Sequence, residues 1–230
     1  VDPELARQAQ AGYYACITHL DHQIGRLILA LVEQELYDDT VFIFTSDHGE
    51  ELCDHHMFRK SRPYEGSCHI PLIISPGKNV LPKLRGGSVC HSIAELRDIM
   101  PTVLDLAHAP IPSSVDGESL LPLTADPQKT QRTWLHGEHS YGDFSNHWIV
   151  TAEDKYIWHS VTGQEQYFDL AADPHELTDL IRDPSRQARI SRLRSFLMDC
   201  LAERPEGFTD GTRLIPGRPY PPTLPAAVLP

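Results

Sequence analysis

The sequence predicts an α/β fold: part of a mostly parallel sheet flanked by helices, followed by a small C-terminal antiparallel sheet with a packed helix. Three observations carry this. Residues 3–37 repeat apolar side chains at intervals of three and four. Two short runs, residues 41–45 (VFIFT) and 72–75 (LIIS), are continuously apolar. Residues 133–170 then hold three or four short strand candidates in close succession.

Taken in order, Tyr13, Ile17, Leu20, Ile24, Leu27, Ile28, Leu31 and Val32 form one stripe of an amphipathic helix, broken at Asp38-Asp39. The two apolar runs lack alternation, so they suit strands buried on both faces. Pro76-Gly77 closes the second. Residues 98–107 read as a helix, with Asp98 as N-cap and Pro101 in the first turn. A proline-rich passage at 110–127 marks a boundary. Residues 133–137, 147–151, 155–159 and 166–170 follow as an antiparallel meander with a Thr162-Gly163 turn. Helices are expected at 174–182 and 185–203, the latter apolar at Ile190, Leu193, Leu197 and Leu201. The expected division is 1–125, 126–204 and a Pro-rich extended tail at 205–230.

Composition narrows the function. A net charge of -12 argues against nucleic acid, because binding duplex phosphates needs a basic surface. An anionic substrate must then be held by local cations. No apolar run approaches the roughly 20 residues that span a bilayer. Val1-Asp2-Pro3-Glu4-Leu5 is neither an initiator methionine nor a signal peptide, so the chain reads as starting inside something longer or as processed, and no compartment can be assigned. Cys16, Cys53, Cys68, Cys90 and Cys200 are scattered and odd in number, which favours free thiols; Cys53 with Cys68 is the pair to check for a bridge.

The loop after the first strand carries the chemistry. Residues 46–69 contain four histidines, five acids and three basic residues. Ser46-Asp47-His48-Gly49 leaves the C-terminal end of a strand, where α/β sheets bind ligands. Asp47 and His48 are both good ligands for a divalent cation, and the same run also suits a plain strand-end turn. Lys60, twelve residues beyond His48, offers a compact point charge for a tetrahedral oxyanion, or a solvated surface ammonium. Arg59 and Arg62 flank it.

The run TSDHGEELCDHHMFRKSRPYEGSCHIPLIIS resembles the second signature region of the sulfatase family: strand, S-D-[HN]-G, G-D-H, a lysine, Y-E and a P-L-I strand. The helix and strand before it, the segment LRDIMPTVLDLAHAPIPSSVDGESLLPL, and the stretches KYIW and YFDLAADPHELTDL resemble later parts of the same fold, from about residue 10 to about residue 203. The resemblance is to the C-terminal portion of the family, within the alkaline-phosphatase-like superfamily. It implies that Asp47 and His48 hold the active-site metal and that Lys60 holds a sulfate oxygen. Calcium is the ion the family implies; Mn, Mg and Zn remain open, since an imidazole ligand departs from an all-oxygen calcium site. It implies double displacement at sulfur by a formylglycine made from a [CS]-x-P-x-R motif, which this chain lacks. That group, and further metal ligands, are expected in an N-terminal part outside this chain. The chain departs from the pattern at Cys53 and His56, where glycine is usual, and this crowds the loop.

Arg62, His69, His136 and His139 are candidates for binding the rest of the substrate, a small-molecule or glycan sulfate ester. Glu138 joins His136 and His139 in a sharper alternative, a second metal site, against the plain reading of polar residues on a surface strand. The same pattern also serves phosphonate monoester and phosphodiester hydrolases, and a non-catalytic remnant or subunit is the alternative outside enzymes.

Overall fold

The computed structural model describes residues 2–80, 87–140, 142 and 145–219. These form two compact units: one from residues 2–60 and 69–132, the other from residues 61–68 and from 133 onward.

The first unit opens with α1 (Pro3–Glu33), capped by Asp2, whose carboxylate accepts the Glu4 backbone N–H at 2.8 Å. The helix stops short of the predicted residue 37: Glu35 turns left-handed (φ 57°), and a 3-10 turn at Tyr37–Asp39 leads into β1 (Val41–Thr45). No residue of α1 is buried. The loop then runs through a 3-10 turn at Asp54–His56; the single-turn helix α2 (Glu65–Cys68) belongs to the second unit, and β2 (Leu72–Pro76) returns to the first.

The mostly parallel arrangement expected of these strands is not what the described residues form. β1 and β2 pair antiparallel with each other, from Val41 opposite Pro76 to Thr45 opposite Leu72. A parallel pair needs a crossover that carries the chain back along the strand, usually on a helix of a dozen residues or more. The connection here holds only short turns, so β2 starts where β1 ends. Nor are the strands buried on both faces: Phe44 and Ile73 are exposed.

After β2 a 3-10 turn (Leu96–Asp98) runs into α3 (Ile99–Leu106), and α4 (Leu121–Ala125) lies within the proline-rich passage. Asp98 takes the expected N-cap position of α3, but its side chain does not cap that helix. It closes a capping box one turn earlier, accepting the Glu95 N–H at 2.9 Å. Its fully buried carboxylate also takes both arms of Arg132 (2.8 and 3.0 Å) and the Glu118 N–H (2.9 Å). Burial pushes this carboxyl up, but Arg132 and the two backbone donors outweigh it and hold it below its ordinary value. A side chain at Gly117 would strike the Arg97 carbonyl, so this turn admits only glycine.

The second unit is a four-stranded antiparallel meander in sequence order: β3 (Trp134–His139), β4 (Asn146–Thr151), β5 (Asp154–His159) and β6 (Glu165–Asp169). One face packs against α5 (Gln187–Leu201). Ile149, Tyr156, Trp158 and Tyr167 meet Ile190, Leu193, Leu197, Leu201 and Phe208 in one buried cluster. The expected helix at 174–182 does not form. Asp173 accepts the Thr178 N–H, and Asp179 accepts those of Tyr167 and Ile181. These side-chain bonds hold the backbone in turns instead. Phe208 is buried, so the start of the expected tail is part of this core; residues 220–230 lie outside the described ones. Beneath the sheet Asp154 collects Arg189 (2.6 and 2.9 Å), Tyr167 Oη (2.8 Å) and Thr151 Oγ1 (2.5 Å). None of the five cysteines is in a disulfide, so Cys53 and Cys68 are not bridged.

Candidate functional site

Asp47, His48 and Lys60 come together at the end of β1. His48 Nδ1 lies 2.8 Å from the Gly49 carbonyl, and a carbonyl only accepts, so Nδ1 carries the proton. The other nitrogen, Nε2, is then a lone-pair donor atom, and Lys60 Nζ sits 2.7 Å from it. Asp47 Oδ2 is 3.6 Å from the same nitrogen, while Asp47 Oδ1 accepts the His48 N–H at 3.0 Å. A carboxylate oxygen and an imidazole nitrogen therefore converge, with a cation beside them. A carboxylate oxygen and an imidazole nitrogen are both donor types that a divalent ion takes.

The loop behind these residues is held under strain. Ser46 Oγ donates to the His48 carbonyl at 2.6 Å, and the Glu50 carboxylate accepts the Arg59 backbone N–H. The Glu51 N–H reaches the Arg59 carbonyl (2.9 Å), and the Cys53 N–H reaches that of Met57 (2.7 Å). Between these ties Leu52, Cys53, His55, His56, Arg59 and Ser61 all adopt left-handed φ of 48° to 93° without being glycine. Cys53 and His56 are the positions where the family pattern has glycine. The crowding expected from those departures thus appears as backbone strain, with the ladder of bonds that opposes it.

The remaining candidates are dispersed. Arg62 belongs to the second unit, where its carbonyl faces the Cys68 thiol at 3.5 Å. His69 is exposed, just before β2 in the first unit. His136 and His139 both lie on β3 in the second unit, but strand parity puts them on opposite faces.

His136 instead meets a residue that the sequence reading missed. Its Nε2 is 3.1 Å from Nδ1 of His147 on β4, and Glu138 Oε2 is 3.4 Å from the same His147 nitrogen. The register pairs Glu138 directly with His147, leaving His136 on the diagonal. The His147 ring is fully buried, stacked on Trp158 and edge-on to Phe208. Burial, then His136 and Arg204, push it down to about 3, so it is neutral at pH 7.

Also buried in this unit is Lys155, with Nζ 2.6 Å from Glu65 Oε1 and 2.8 Å from Glu176 Oε1. Burial pulls the ammonium down, but Glu176 and Glu65 outweigh it and leave it raised. Glu176 takes a left-handed φ of 54° to reach the lysine, and its second oxygen accepts the Glu65 N–H at 2.6 Å. The triad fixes residues 61–68 to the sheet of the second unit. No helix among the described residues is long and apolar enough to cross a membrane.

Comparison with known proteins gives this geometry its context. An arylsulfatase of Clostridium perfringens (strain 13 / Type A) is 49% identical over 219 residues, covering 95% of this chain and 45% of the relative. Among solved structures, one of a protein in complex with its substrate D-glucosamine-2-N,6-O-disulfate superposes with a TM-score of 0.75 at 27% identity, covering 81% of this chain and 39% of that one. A phosphonate monoester hydrolase of Agrobacterium radiobacter gives 0.73 at 27% identity, covering 84% and 41%. The chain thus spans less than half the length of these relatives. The family model described as Sulfatase matches residues 2–109, which include β1, the Asp47-His48 turn, Lys60 and β2. Over residues 2–109 the chain carries the domain of the sulfatase family.

Proposed function

We propose that this chain supplies the metal-binding and sulfate-binding part of a sulfate ester hydrolase. The observation that carries the reading is the convergence of Asp47, His48 and Lys60 at the end of β1, inside the region that the family model matches. In this reading Asp47 and His48 hold one divalent ion, calcium by family and Mn, Mg or Zn by the imidazole. When bound, the ion would neutralise charge on the ester oxygens. In this reading Lys60 Nζ, which here donates to His48 Nε2, gives up that lone pair to the ion and binds a sulfate oxygen, a contact that strengthens as the ester bond breaks. The nucleophile, formylglycine in this family, and the remaining ligands come from sequence outside this chain, since no [CS]-x-P-x-R motif occurs here. The chain alone is then inactive, and the rest of the same protein is its partner. The exposed apolar positions of α1, with Phe44 and Ile73 on the strands, are the surface that this partner covers. Arg62, His69, His136 and His139 remain candidates for the substrate's leaving group. A sulfated glycan is one substrate class, supported by the disulfated glucosamine bound to the structural relative.

The test is turnover of one aryl sulfate by an enzyme containing this chain. Lys60→Ala should lower it by roughly 10² to 10³, the usual loss for one oxyanion-stabilising contact. Lys60→Arg should rescue little, because a planar fork does not replace a point charge. Arg59→Ala and Arg62→Ala should be milder. A crippled Arg62→Ala beside a near-normal Lys60→Ala would move the sulfate-binding role to the arginine. A second reading, phosphonate monoester hydrolysis, draws on the Agrobacterium radiobacter relative. Comparing aryl sulfate with aryl phosphonate as substrates separates the two.

A further inference from the structure

The second unit presents a set of ligand atoms that the sulfate chemistry does not use. We propose that His136, Glu138 and His147 bind one transition-metal dication of the zinc class, through His136 Nε2, His147 Nδ1 and Glu138 Oε2. These three atoms all lie within 4.8 Å of one another. The two closest separations are 3.1 Å and 3.4 Å. Tetrahedral coordination with bonds of about 2.0–2.1 Å places neighbouring ligand atoms about 3.3 Å apart. Two of the three separations are thus already near that spacing; the third, between His136 and Glu138, lies within 4.8 Å and closes when the ion is seated. Two imidazoles and one carboxylate with a fourth position open is a donor set that zinc takes and that calcium and magnesium, which want oxygen, do not favour.

The surroundings hold the ligands in place. The His136 and His147 rings stack at 5.3 Å and 14°. His147 is clamped between Trp158 and Phe208 (ring centroids 5.8 and 5.1 Å). Arg204 donates to Glu138 Oε1 and Oε2 at 3.2 and 3.0 Å, and is itself held by Glu206. That pairing turns the carboxylate toward the histidines and leaves Oε2 to share between guanidinium and metal. β3 is an edge strand and His136 is only half-buried, so the fourth position is open to solvent or to a further ligand. Binding needs no net loss of a proton from neutral rings: the N–H between them moves to the other nitrogen of its own ring.

The test is titration of the metal-free, full 230-residue chain with Co²⁺, followed by visible absorption, with Zn²⁺ as competitor. We expect one equivalent to give the bands of four-coordinate Co²⁺, and Zn²⁺ but not Ca²⁺ to displace it. The double variant Asp47→Asn/His48→Ala should give the same four-coordinate bands as the wild type. His136→Ala and Glu138→Gln, both altered near the edge of the sheet and checked for folding by circular dichroism, should each weaken binding by more than the roughly 10- to 100-fold that loss of an outer-shell partner costs. Absence of the bands in the wild type, or bands that His136→Ala leaves unchanged, would overturn the site and leave a hydrogen-bonded packing cluster.

Discussion

Leu27 and Leu197 are both helical leucines on apolar stripes that the sequence displays equally well. Leu197 of α5 is fully buried, whereas Leu27 of α1 is 57% exposed. The same contrast runs through the two units. The second has a closed core of aromatic and aliphatic side chains from sheet, helix and Phe208. In the first, only Leu120 and Leu123 are buried among the large apolar residues described, while Tyr14, Leu29 and Ile73 stay exposed. Amphipathic periodicity reports that a face needs covering; it does not report what covers it. The unit that carries Asp47, His48 and Lys60 is the one that leaves its apolar face open. A large exposed apolar face of this kind is the surface that the proposed partner would cover.

The contrast can be broken or sharpened by substitution, and the largest effect is expected in the second unit. Lys155→Met leaves the buried Glu176, and the partly exposed Glu65 beside it, without their counter-charge. It should cost about 3–5 kcal/mol, the usual result of removing one partner of a buried ion pair. Trp134, Trp148 and Trp158 all lie in this unit, so tryptophan fluorescence under urea reads its stability directly. A cost below about 1 kcal/mol would mean that the triad is solvated.

Matched leucines come next. Leu197→Ala should cost about 2–5 kcal/mol through the cavity it opens. Leu27→Ala should stay within about 0.5 kcal/mol in the same chain, as exposed substitutions do. Equal costs, measured by urea titration with far-ultraviolet circular dichroism, would show that α1 is packed.

A pH dependence should also be specific to the second unit. His147 is held neutral, with its value pushed down to about 3. A proton therefore prefers the unfolded chain, where histidine takes its ordinary value near 6.5. Stability from this group is full above about 6.5 and falls as pH drops toward about 3, by up to about 1.4 kcal/mol per pH unit. Urea midpoints of the metal-free chain between pH 6.5 and 5 should follow that slope, and His147→Gln should flatten it. An unchanged slope would remove His147 as its source.

The smallest effect belongs to the strained loop. Cys53 and His56 sit at φ 82° and 59°, where glycine has no steric penalty. His56→Gly should stabilise the first unit by about 0.5–1 kcal/mol, since relief of a left-handed side chain outweighs the added freedom of the unfolded chain. A loss of stability would mean that the imidazole makes contacts worth more than the strain.

Much of this was legible in the residues. The continuous run at 41–45, and the spacing and Thr162-Gly163 turn of the strands at 146–169, predicted their strands almost to the residue, because strand propensity and turn chemistry agreed there. The pairing of β1 with β2 was not legible: two buried-looking strands fit a parallel sheet equally well until the shape of the connection is known. The missing helix at 174–182 was hidden because Asp173 and Asp179 resolve the competition between side chain and backbone only in three dimensions. Asp47, His48 and Lys60 were legible by order and spacing. His147 was not, because its meeting with His136 depends on register across a hairpin.

The proposed divalent-metal site of Asp47 and His48, with Lys60 beside it, is open to paramagnetic broadening by Mn²⁺ in the isolated chain, with backbone amide resonances as the readout. Broadening is expected at Asp47, His48, Gly49 and Lys60, and Asp47→Asn should abolish it. Broadening confined to the region of His136 and His147, or broadening at the β1 end that Asp47→Asn leaves intact, would contradict the proposed site.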